Sequence, residues 1–262
     1  MTILNRLFTK SRHSYGLVHD SHDIRDFRFS TVANKLGLIT LPPMVDLRPK
    51  CSPVRDQGQL GSCTGFAAIT GFRECLLVQS GKPFVELSPL FEYYWERYKE
   101  NTVNEDSGAE IRDAMKVLAK FGAAPEKDWP YDISKYTVAP PSISVQNAKN
   151  YPIAGYHRLN NRIEIKQALS IGHPVVIGIQ VWDSFESDMT AQTGVVPLPN
   201  TQTESMLGGH AVCIVGYNDA PRTFLVKNSW GTSWGMAGYF TLPYEYFNPA
   251  RGLVMDLWTG RA

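Results

Sequence analysis

Two adjacent prolines, Pro140-Pro141, part this chain into a half patterned for helices and a half patterned for strands. Upstream, the run from Ser62 to Val78 is apolar on most sides and stops near Gly81, as a buried helix would. Ser88-Pro89 supplies an N-cap followed by proline at the first helical position, opening a second helix through Tyr93 and Trp95. A third has the capping-box spacing Ser107-x-x-Glu110, an apolar stripe of Ile111, Met115 and Leu118, and Gly122 as its stop. Downstream, a short helix over 161–170 precedes strand-like runs at 174–181, 210–217, 223–227, 238–242 and 253–258, separated by Gly, Pro, Asn and Asp. Such segregation predicts an α+β protein.

The chain is long enough, at 262 residues, to bury a sizeable core. Its 26 Lys plus Arg against 25 Asp plus Glu leave a net charge of +1, which argues against nucleic acid or an anionic membrane as partner. The first thirty residues offer only Ile3-Leu4 and Leu7-Phe8 as apolar pairs, not the h-region of a secretory signal, and no later run approaches the roughly 20 residues that span a bilayer. A soluble monomer is expected, cytoplasmic or exported by a route without a classical signal peptide. Cys51, Cys63, Cys75 and Cys213 form neither a disulfide scaffold nor a CxxC pair, so no metal or cofactor is expected. Leu41-Pro42-Pro43 is a stiff junction. The expected organisation is an N-terminal extension over 1–45, a helical unit over 46–145 and a strand-rich unit over 146–262.

One cysteine stands at the mouth of a helix, and one histidine follows a Gly208-Gly209 pair at the head of a strand. A thiol at a helix N-terminus feels the positive end of the macrodipole, and an imidazolium beside it would hold the thiolate and later protonate a leaving amine. Cys63 and His210 therefore suggest nucleophile and acid–base. Asn228 would orient the ring by accepting from its other nitrogen. Gln57 would aim a side-chain N–H at an oxyanion beside the Cys63 backbone N–H. The set describes acyl transfer.

The blocks Gln57-Gly-Gln-Leu-Gly-Ser-Cys63, Gly208-Gly-His210-Ala-Val and Lys227-Asn228-Ser-Trp230-Gly-Thr-Ser-Trp234-Gly resemble those of the papain-like cysteine peptidases. The interval from Cys63 to His210 falls within the roughly 130–150 residues usual in that family. The resemblance runs from about Pro42 to Trp258. It implies a helical left domain and a β-barrel-like right domain with the active site in the cleft between them. It also implies a thiolate–imidazolium pair that cleaves peptide bonds through a thioester, with Cys63, His210, Asn228 and Gln57 in the roles just given. By the same likeness Trp230 shields the Asn228–His210 bond, Ser107 and Gly108 pair with an extended substrate, and Gly208, Gly209 and Gly260 leave a roomy second specificity pocket for a bulky apolar side chain. Endopeptidase action is expected because no His-rich loop closes one end of the cleft.

Three departures from the family bear on these expectations. Leu60 stands where a disulfide cysteine is usual, and Thr64 replaces the aromatic residue after the nucleophile, removing a wall of the active-site surface. The extension of about 45 residues is shorter than a typical propeptide and lacks its long helical pattern. This polar segment either blocks the cleft, an autoinhibition favoured by its high effective concentration, or straps the domain backs. An acyl transferase on the same machinery and a noncatalytic peptide-binding homologue are the alternative functions. Cys75 and Cys213 read as inert core thiols, Cys51 as ambiguous, and His13, His19 and His22 as solvated.

Overall fold

The computed structural model describes residues 12–36 and 40–262, without the side chains of 34–36; Ile3-Leu4 and Leu7-Phe8 lie outside these. The first expected helix runs unbroken over 63–79, with an i+5 stretch at Ala67–Arg73. It is buried on nearly every side because it lies between the two halves of the molecule. Gly65 and Gly71 permit this: a β-carbon on Gly65 would come within 2.7 Å of the Pro89 carbonyl oxygen, and one on Gly71 within 2.3 Å of the Cys213 β-carbon.

The helix Pro89–Glu100 begins as expected, the Ser88 hydroxyl accepting from the Phe91 N–H at 3.0 Å and donating to the Trp129 carbonyl at 2.6 Å. The helix Ile111–Lys120 buries Ile111, Met115 and Leu118 and gives way at Gly122, whose φ is +77°. Its start differs from the expected capping box. Ser107 donates instead to the Thr102 hydroxyl and the Gly108 carbonyl, while Ala109–Glu110 is extended. The reason is tertiary: those two residues are the strand β3, paired in parallel with β1 (Leu17–Val18) of the N-terminal segment.

The second half is an antiparallel sheet built from β4 (Gly155–Arg158), β5 (Val175–Trp182), β6 (Met206–Asn218), β7 (Thr223–Lys227), β8 (Tyr239–Pro243) and β9 (Val254–Arg261), in the order β4-β9-β5-β6-β7-β8. β2 (Met44–Asp46) follows Pro42-Pro43 directly and pairs with β6, so the junction delivers the chain into the sheet. The helix Arg162–Ser170, capped by the Asn161 side chain on the Glu164 N–H, packs on one face. On the other, Val176, Ala211, Cys213, Val215 and Trp258 share a core with the 63–79 helix. The short helices Ser30–Leu36, Ser142–Ala148 and Asp188–Thr193 carry too little periodicity to be read from sequence.

Candidate active site

The helix 63–79 and β6 pack face to face, which brings the first residue of one beside the middle of the other. The Cys63 sulfur accepts the Ala211 N–H at 3.4 Å, one residue beyond His210. His210 Nε2 bonds Asn228 Oδ1 at 2.8 Å, while its Nδ1 is buried with no hydrogen bond among the described residues. Asn228 sits just past β7, where its Oδ1 also accepts from the Ser229 N–H. Trp230 stacks on the His210 ring, centroids 4.8 Å apart, and closes the His210–Asn228 bond from water. Gln57 is held by the Ser229 hydroxyl donating to its Oε1 at 2.6 Å, and its Nε2 donates to the Leu60 carbonyl at 3.0 Å.

The N-terminal segment lies in this cleft. His13 stacks on Trp230 at 3.7 Å with rings 3° from parallel. The Ser14 carbonyl accepts from Gln57 Nε2 at 3.3 Å, so it occupies the donor aligned for an oxyanion. The Gly16 backbone N–H faces the Cys63 sulfur, and its carbonyl accepts from the Ala109 N–H at 2.8 Å. The fit at Gly16 is absolute: a β-carbon there would stand 1.7 Å from the Gly61 carbonyl oxygen. Tyr15 packs over Gly208, and Leu17 drops between Gly178, Gly209 and Met255. Farther on, Asp20 accepts from the Arg112 N–H, Arg158 Nη1 and Trp258 Nε1 at 3.0, 3.0 and 2.7 Å, and Asp26 pairs with Arg112 at 2.9 Å.

This cover changes the electrostatics. Cys63 and His210 are both wholly buried, and burial favours the uncharged form of each. The thiol is pushed up to about 11 and the imidazole down to about 4. The pair is therefore neutral here, where the sequence suggested a thiolate–imidazolium pair. Excluded water is the cause, since Asn228 acts in the opposite direction on the ring and the Ala211 and Gly16 N–H groups do so on the sulfur.

Cys63, His210, Asn228, Gln57, Gly208, Gly209 and Trp230 are thus brought together around one cleft. Ser107 and Gly108 border it, and the strand addition expected there is made one residue on, by the chain's own Leu17 against Ala109. Gly260 is not in it. It pairs with Tyr156 in the β4–β9 ladder, and a β-carbon on it would meet Phe72 and the Gly155 carbonyl. Its place in the pocket is taken by Gly178 and Met255, because β9 turns its last residues toward the inter-domain core. Thr64 is no missing wall: fully buried, it points away from the cleft and donates to Glu96 Oε2 at 2.6 Å. Of the three early histidines, His13 departs from the solvated expectation, since it lies on Trp230; His19 and His22 are exposed, with His19 Nδ1 2.6 Å from Asp256 Oδ2. Cys51 is half-buried, its thiol beside Cys75 and donating to the Leu47 carbonyl. Among the described residues no group of three His, Cys, Asp or Glu side chains could hold a metal ion.

A buried thiol at a helix start, a histidine oriented by an asparagine amide and a peptide-lined groove between helical and sheet halves define a cysteine-dependent peptide hydrolase. Residues 41–249 match the papain family of cysteine proteases, and the chain belongs to that family. It is 39% identical over 254 residues, 92% of this chain and 81% of the other, to an uncharacterized peptidase C1-like protein of Acanthamoeba polyphaga mimivirus. It is 30% identical to cysteine proteinase 2 of Entamoeba histolytica, covering 79% of this chain and 65% of that one. Its fold matches the crystal structure of xylellain, a cysteine protease from Xylella fastidiosa, with a TM-score of 0.84, 38% identity and coverage of 100% and 99% of the two chains. The protein is a papain-like cysteine protease.

Proposed function

We propose that this protease is an endopeptidase that forms a thioester on Cys63 and is held latent by its own N-terminal segment. Cys63 is the nucleophile, His210 moves the proton, Asn228 orients the ring, and Gln57 with the Cys63 backbone N–H receives the oxyanion. The observation that carries the reading is Gln57 Nε2 on the Ser14 carbonyl while the Gly16 N–H covers the sulfur. A peptide backbone already lies where a substrate would. What reaches the sulfur from it is a hydrogen-bond donor, which an attacking thiolate cannot use as electrophile.

Departure of the segment readmits water to both groups. The proton then moves from sulfur to ring, giving the ion pair that attacks the scissile carbonyl. The sulfur–carbon bond forms, the carbonyl electrons move onto oxygen and return as the carbon–nitrogen bond breaks, and the amine leaves with the proton from His210. Water, deprotonated by the same ring, then displaces the thiolate. Thr64, buried against Glu96, takes away the motive for a noncatalytic reading. Leu17, seated between Gly178, Gly209 and Met255, supports a second pocket that prefers leucine-like side chains.

The test is hydrolysis of internally quenched peptides by the full-length chain and by its Gly16→Val variant, which cannot seat the segment. Cleavage of internal bonds two residues after the start of a Leu-containing site, far faster in Gly16→Val, is the expected result. No cleavage by either protein would sink the proposal, and equal rates would sink the latency.

A further inference from the structure

The cleft extends past the sulfur on the side of Trp230, and one side chain there has no part in the chemistry described so far. Glu186 precedes the helix Asp188–Thr193, and its carboxylate is only 8% exposed while the segment is seated. The segment meets it with the Tyr15 hydroxyl, with His13 Nδ1 at 3.3 Å and with the Arg12 backbone N–H at 3.0 Å. Beside it, Asp188 takes the Arg12 guanidinium at 2.7 Å. The floor is aromatic: Trp230 stacks on His210, and Phe185 meets Trp230 edge-on at 5.6 Å.

In the mechanism above the leaving amine takes its proton from His210, so the residues that leave with it must lie along the ring stacked on His210. That is where Glu186 stands. When the segment lifts, the carboxylate gives up its contacts with Tyr15, His13 and the Arg12 N–H, beside a cleft floor that carries Phe185 and Trp230. A poorly solvated carboxylate gains most from a donor that carries charge, and an aromatic floor adds attraction for a cation.

We propose that Glu186 is a specificity-determining residue on the leaving-group side of the cleft, selecting substrates that place an arginine or lysine there. The inference rests on the peptidase reading and adds a substrate class to it. The seated segment borrows the same site, through its Arg12-His13-Ser14-Tyr15 stretch.

The experiment uses the full-length chain opened by Gly16→Val, with Leu17→Asp as a second opening variant, and peptides that differ only in the residue after the scissile bond. A kcat/KM for Arg or Lys about tenfold above that for Glu is expected, the magnitude of one charge-assisted pair. Glu186→Gln should bring that ratio to about one while leaving kcat/KM for a Leu peptide within about twofold, and Glu186→Arg should invert it. A ratio unmoved by Glu186→Gln overturns the proposal. A second arm measures binding of the same peptides to the opened chain carrying Cys63→Ala, which needs no turnover. Preference in binding without hydrolysis by the opened Cys63 chain would leave the site standing and remove the peptidase reading; hydrolysis without preference would do the reverse.

Discussion

Thr64 turns its hydroxyl away from the cleft to the Glu96 carboxyl, and both are fully buried. Burial holds Glu96 up to about 8, so it is a neutral acid at pH 7, and the other Glu96 oxygen and both of Glu92 find no hydrogen-bond partner among the described residues. Removing the hydroxyl by Thr64→Val takes away a hydrogen bond in a place water cannot reach. The variant should lose about 1–3 kcal/mol of stability in urea unfolding, with no change in kcat/KM per folded molecule once the cleft is open. A changed kcat/KM would return Thr64 to the active-site surface. At the chemical centre, Cys63→Ala in the opened chain should abolish hydrolysis with the fold intact by circular dichroism. Gln57→Ala there should slow acylation by about 10²–10³-fold, the cost of one oxyanion donor. Full-speed acylation by Gln57→Ala would remove Gln57 from that role.

The described part of the N-terminal segment has almost no structure of its own: two strand residues, one short helix, and side chains that, apart from the local Arg25–Asp23 pair and the Thr31 hydroxyl on the Arg28 carbonyl, find their partners on the rest of the molecule. Its grip is distributed. Phe29 enters the sheet-side core, Asp20 and Asp26 bind Arg112 and Arg158, and Leu17 plugs the pocket between Gly178 and Met255. Gly16→Val removes the tightest of these contacts and should release the segment as a whole, Asp20 included. In that variant Cys63 should react with iodoacetamide at mildly acidic pH, followed by mass spectrometry, because a released thiol paired with an imidazolium is already ionised. In the unaltered chain the same thiol, pushed up to about 11, should stay unreactive between pH 5 and 8. Equal alkylation rates in the two would mean that the segment does not protect the sulfur.

At the scale of the whole molecule, seating and release form an equilibrium whose pH dependence has a sign. At the catalytic pair, release moves one proton from sulfur to ring and changes the number bound by none. Asp20 differs. It faces Asp256, Arg112, Arg158 and Trp258, with Asp26 and His19 close by, and burial beside Asp256 raises it to about 6 when seated. Released into water it returns to the ordinary carboxylate range, so the seated form holds more protons between about pH 4 and pH 6. Stability of the seated form is then greatest below that window and falls as pH rises through it. The rate for the unaltered chain relative to Gly16→Val should accordingly rise from pH 4 to pH 6.5, and Asp20→Asn should flatten the rise. Activation on acidification would reverse the argument. The three blocks around Cys63, His210 and Asn228, the helical-then-strand order and the Ser88 cap were legible because each depends on neighbours in sequence: a cap, a period, a glycine turn. Gly260, Ser107, Thr64 and His13 misled because their surroundings come from distant chain. The sequence alone determined the chemistry of the cleft and the class of fold, since both are written in local residue types and spacings. Only the tertiary structure decided what lies in the cleft, because a segment without its own hydrophobic period takes its conformation from the surface that receives it.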